Sequence, residues 1–163
     1  MKNTFFSLLL FFSSNLTAQT IPNFDLIKLE KTSDYKKAEP FVILSANFIL
    51  STPIKIDNKD RYNSLRFISQ WMNGTTDYSF AMEDMIEKIG KGDNDHLAIY
   101  VSALSKYTIE NKPVVKNAIQ LKVEAITTLL NYCQDKKNNL RLTKQLKKLV
   151  DAKEKGQLEQ ALQ

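Results

Sequence analysis

The sequence predicts an all-α fold, a compact bundle of about six antiparallel helices behind a cleaved leader. Three observations carry that expectation. Apolar residues recur at three- and four-residue steps through most of the chain. No sustained run of β-branched residues alternates with polar ones, as a half-buried strand requires. The connections between periodic segments are short, which favours antiparallel neighbours. With 163 residues the chain suits one domain and can bury a sizeable core. The alternative is a short helical-hairpin solenoid of tetratricopeptide type, because 94–111 and 114–133 have about the length of one unit. No Gly/Ala/Pro repeat consensus fits over them, so the bundle is preferred.

The N-terminus reads as an export signal. Lys2 precedes the apolar run from Phe5 to Phe12, and Ser13, Ser14, Thr17 and Ala18 lead to a cleavage point near Ala18 or Gln19. The run is far shorter than the roughly 20 residues that span a bilayer. Residues 1–19 are therefore assigned to a signal peptide and 20–163 to a single helical domain, exported to the periplasm or secreted. No cysteine follows the run to carry a lipid anchor. The lone cysteine, Cys133, rules out an internal disulfide and reads as a buried, inert thiol. Stability must then come from packing. Loss of Lys2 lowers the formal net charge from +5 to +4.

Residues 20–32 hold Phe24, Leu26, Ile27 and Leu29, either as a short helix capped by Asn23 or as an arm on the body. Ser33 or Asp34 caps a helix to Ser51. Its apolar residues, among them Val42, Ala46 and Ile49, reach most of the way round, so it is expected to be central and well covered. Pro40 either starts or kinks this helix; the apolar spacing on both sides favours a helix that runs through. Asn58 or Asp60 caps the next, from about 59 to 72. Gly74 is expected just past its end, in the left-handed conformation. Thr75, Thr76 and Asp77 then offer oxygens to a helix from Tyr78 to Ile89. The break at Gly90–Asp95 precedes helices near 94–111 and 114–133, the second with Pro113 in its first turn. A basic helix from about Leu140 to Lys155 follows the loop 135–139. Gly156 interrupts, and 157–163 is a short helix or a frayed end.

Most chemistries are poorly supported. The sole histidine, His96, lacks a partner at metal-ligand spacing and reads as a partly exposed surface residue. Asp93-Asn94-Asp95 has Ala98 and Leu104 where a calcium loop needs Gly and Glu. There is no nucleophile elbow and no phosphate loop. No metal or other cofactor is expected. Glu83 and Glu87 stand one turn apart and provide the alternative reading, a small hydrolase-type acid/base enzyme. A solvated face paired with Lys88 or Lys91 explains them more simply. Asn73-Gly74-Thr75 matches a glycosylation acceptor, relevant only in a eukaryotic secretory pathway.

The strongest charge feature is basic. Lys136, Lys137, Arg141, Lys144, Lys147 and Lys148 follow one another with no acid between them. Arg141, Lys144 and Lys148 are expected on one helical face, opposite leucines. They lack the aromatics or motif of a nucleic-acid binder, and the export signal argues against that partner. A solvated face is the plain reading; an anionic membrane or polysaccharide is the functional one.

Three stretches carry a resemblance: Tyr35-Lys36-Lys37-Ala38-Glu39-Pro40-Phe41, Trp71-Met72-Asn73-Gly74-Thr75-Thr76-Asp77-Tyr78 and Asn138-Asn139-Leu140-Arg141-Leu142-Thr143-Lys144. They resemble a group of small exported all-helical proteins of Gram-negative bacteria, over most of the mature chain. The resemblance implies a periplasmic address and no catalytic residue.

The functional expectation is a non-catalytic binding module of the cell envelope, its partner an unknown protein or an anionic envelope component. It would use a groove between helices or the basic face. The candidate contact residues are Arg141, Lys144, Lys148, Trp71 and Tyr78. Trp71 beside a turn draws attention as a site, but its helical spacing from Phe67 favours a packed corner with Trp71 buried.

Overall fold

The computed structural model describes residues 21–80, 82–89, 94–111 and 118–163, without the side chains of Glu83 and Asp84. The leader, the 90–93 break and the Pro113 helix start lie outside these residues. Among those described there are seven α-helices and no strand. They are α1 (Thr32–Ser51), α2 (Lys59–Gly74), α3 (Glu83–Ile89), α4 (Asn94–Glu110), α5 (Ala118–Gln134), α6 (Lys144–Glu154) and α7 (Leu158–Leu162). Short 3-10 turns occupy Phe24–Leu26 and Lys136–Asn138.

At the start of α1 the Asp34 carboxylate accepts from the Lys31 N–H at 3.0 Å, satisfying a donor ahead of the first turn. The helix runs through Pro40, as its spacing predicts. The proline leaves the Lys36 carbonyl without its helical donor, but Pro40 and Lys36 are both exposed, so solvent reaches the break. α2 is capped by Asn58, whose Oδ1 accepts from the Arg61 N–H at 3.0 Å. It returns antiparallel to α1, with Arg61 beside Ile49 at one end and Trp71 beside Tyr35 at the other.

The central helix is α4, a correction to the sequence expectation for α1. It packs against α1, α2, α3 and α5. Ile99 and Tyr100 are buried on it, and so are Ser102 and Ser105, which periodicity assigns to its polar side. These small polar residues let neighbouring helices approach closely. The Ser102 hydroxyl donates back to the Ala98 carbonyl at 2.7 Å, which satisfies it without a tertiary partner. Contacts of α3 with α6 and of α5 with α7 cross the chain order. A solenoid has only neighbour contacts, so the arrangement is a bundle.

The second half closes with well-defined stops. Thr143 caps α6, its Oγ1 accepting from the Leu146 N–H at 3.1 Å and donating to the Ile89 carbonyl at 3.2 Å. Gly156 ends α6 at φ 68°, and the Gln157 and Gly156 N–H groups reach back to the Ala152 and Lys153 carbonyls. α7 is docked rather than frayed: Leu158 and Leu162 are buried. No helix among the described residues is long and apolar enough to cross a membrane. Cys133, the one cysteine in the sequence, is buried.

Candidate functional site

The Trp71–Phe80 joint is a packed corner. Trp71 is 0% exposed, and its Nε1 donates to the Tyr35 carbonyl at 2.9 Å. The Tyr78 and Phe80 rings close over it with centroids at 5.6 and 6.0 Å. The Tyr78 hydroxyl donates to the buried Glu39 carboxylate at 3.1 Å. Trp71 and Tyr78 are thus brought together, but as structure; a fully buried indole presents nothing to a partner.

Two sequence expectations at this joint are corrected. Gly74 is the last residue of α2 and does not adopt a positive φ. It is small because the Tyr35 ring lies where a side chain would be: a Cβ on Gly74 would overlap Tyr35 Oη, Cε1 and Cζ. The Tyr35 hydroxyl in turn donates to the Leu29 carbonyl at 3.0 Å, tying the N-terminal arm to the corner. α3 begins at Glu83 rather than Tyr78. Residues 75–80 stay irregular because Tyr78 and Phe80 must both turn onto Trp71, and helical geometry would send two such neighbours to different faces.

The basic stretch is also rearranged. α6 begins at Lys144, so Arg141 precedes the helix and shares no helical face with Lys144 and Lys148. The cause is a contact distant in sequence. Residues 140–143 cross the start of α4, where His96 Nε2 donates to the Arg141 carbonyl at 2.7 Å. His96 is 3% exposed, contrary to its reading as a surface residue. The side chains of Arg141, Lys144 and Lys148 are all exposed.

Sequence reasoning missed the end of the bundle where α1 stops. Arg61 is buried there, and its Nη1 donates to the Ile49 and Thr52 carbonyls at 2.8 and 3.1 Å. A cation thus sits on the unsatisfied C-terminal carbonyls of α1, at the negative end of its dipole. The Tyr132 hydroxyl donates to the same Thr52 carbonyl at 2.6 Å, and its ring centroid lies 5.9 Å from the guanidinium carbon. Burial raises the Tyr132 pKa, with the Arg61 charge opposing.

From this end a groove of about 1070 Å³ runs between α2 and α4. Leu65, Leu97, Ala98 and Val101 give it an apolar wall, and Lys55, Lys59 and Asp95 give its end charge. A smaller, more polar cleft of about 620 Å³ lies between the N-terminal arm and α2, beside the Asp25–Arg66 ion pair at 2.8 Å. No group of three side chains placed to hold a metal ion occurs among the described residues. Glu87 is exposed on α3.

Compared with protein families, curated proteins and solved structures, the chain matches none.

Proposed function

We propose that this is an exported, non-catalytic binding module of the cell envelope, which holds a helical segment of a partner protein in the α2–α4 groove. The groove carries the reading. It lies between α2 and α4 with an apolar wall of Leu65, Leu97, Ala98 and Val101 and mixed charge at one end. An amphipathic helix lays its apolar face into such a groove and sets its register with charges at the end. The export address rests on the apolar leader, Lys2 and the resemblance to small periplasmic helical proteins. The exposed lysines are a second, electrostatic attraction for the same envelope.

The test is comparative capture from an envelope fraction by the native chain and by Ala98→Phe, which fills the groove. A partner captured by the native chain and lost with Ala98→Phe, at unchanged melting temperature, supports the proposal. Capture of the same proteins by both chains overturns it.

A further inference from the structure

We propose that the protein seats on an anionic lipid surface through the turn at residues 54–59, with Ile56 entering the edge of the apolar layer and lysines around it holding the lipid charges. The inference goes beyond groove binding: it concerns the turn that borders the groove's charged end, sharing Lys55 and Lys59 with it, and not the apolar wall. Ile56 is 94% exposed at the tip of a tight turn, where Asp57 takes a φ of 59°. Its side chain contributes little to packing, so the fold gives no reason for an isoleucine there. Nor is the turn loose. The Ile54 N–H donates to the Asn138 carbonyl at 2.9 Å, and Thr52 is held by both Arg61 and Tyr132. An apolar tip on a pinned turn loses little conformational entropy on insertion.

The same backbone contact places the charges. Lys55 and Lys59 flank Ile56 in the turn, while Lys136 and Lys137 directly precede Asn138. All four lysines are exposed. Asp57 and Asp60 oppose them; Asp135 does so less, because its carboxylate caps the Lys137 N–H at 3.0 Å. Residues 52–62 carry +1 and residues 135–148 carry +5, against +5 for the whole chain, so the remainder sums to −1. One turn into α2, Tyr62 is 68% exposed, an amphipathic ring suited to the headgroup layer. Leu26 is also bare, at 79%, but the charges beside it are paired, Asp25 with Arg66 and Lys28 with Glu30. A soluble polyanion would satisfy the lysines and offer nothing to Ile56. An anionic leaflet satisfies both.

The experiment uses the chain as purified from the cell, its N-terminus read by mass spectrometry. Co-sedimentation is measured with phosphatidylglycerol-containing and with phosphatidylcholine vesicles, at low and high salt. Binding is expected on the anionic vesicles and is expected to fall at high salt. Ile56→Ser is expected to weaken it about tenfold. The pair Lys136→Gln and Lys137→Gln is expected to weaken it about fivefold per charge. Leu26→Ser should leave it unchanged. A polarity-sensitive dye on Ile56→Cys should shift on anionic vesicles while the same dye on Leu26→Cys does not; buried Cys133 leaves the labelling selective. No anionic-vesicle binding at low salt, binding indifferent to Ile56→Ser, or a dye at position 56 that never leaves water would each overturn the proposal.

Discussion

At the scale of single residues, the joint between α2 and residues 75–80 is fixed by shape. Trp71 fills it, and Gly74 leaves room for Tyr35. Trp71→Ala should cost about 3–5 kcal/mol in urea denaturation, the range for removing a buried aromatic ring. Gly74→Ala tests the account more finely. Alanine is the better helix former by about 1 kcal/mol, yet here its Cβ must push the Tyr35 ring away from the Leu29 carbonyl. A net loss of about 1–2 kcal/mol is expected, since overpacking outweighs propensity. In a Tyr35→Ala background the same change should turn stabilising. A double-mutant cycle that comes out additive would contradict the contact. Tyr132 supplies a pH signature. Its folded pKa is raised above 10.0 by burial, so the folded state holds the proton more tightly than the unfolded chain. Its contribution is complete below pH 10.0 and is lost as the pH rises through the folded value. Tyr107 is shifted in the same direction, by burial and then by Glu124. Tyr132→Phe should therefore cost about 1 kcal/mol at neutral pH and reduce, without abolishing, the alkaline loss of stability seen in melting curves.

Among the elements, the stop of α6 and its start are both chemical. Thr143→Ala removes an N-cap and the bond to Ile89 on α3, and should destabilise by about 1–2 kcal/mol in the same assay. What was legible in the sequence follows from how local each signal is. Asn58, the passage through Pro40 and the α4 boundaries could be read because caps and periodicity are properties of neighbours. The irregular residues 75–80 could not, since Tyr78 and Phe80 are held by Trp71 rather than by their own helix. Charges and leucines around Arg141 keep helical spacing, which predicts a helix there; the contact of its carbonyl with His96 accompanies the extended stretch instead. The buried serines of α4 likewise reflect helices packed from several sides, which one strand of periodicity does not reveal. Of the candidate site, the basic residues were visible as a run of charge. The buried Arg61 and the groove were not, because each is assembled from segments far apart in the chain.

On the scale of the whole molecule, the barest apolar residue, Ile56, and the basic stretch lie at one end. The stop of α1, the Ile56 turn, the start of α4 and the 136–141 stretch are joined there by Arg61, Tyr132, Ile54 and His96. At the opposite corner Trp71 is fully buried. A membrane seat at Ile56 would bring the lysine-bearing end of the α2–α4 groove to the lipid surface, where a partner's helix could be met. The most direct test of the binding reading is site-specific photo-cross-linking in intact cells. A photoreactive residue at Ser69, in the groove, is compared with one at exposed Gln134 on α5. The expected result is a discrete cross-linked protein from Ser69 that Gln134 does not give and that Ala98→Phe removes. Identical products from both positions, or a Ser69 product that survives Ala98→Phe, would contradict it.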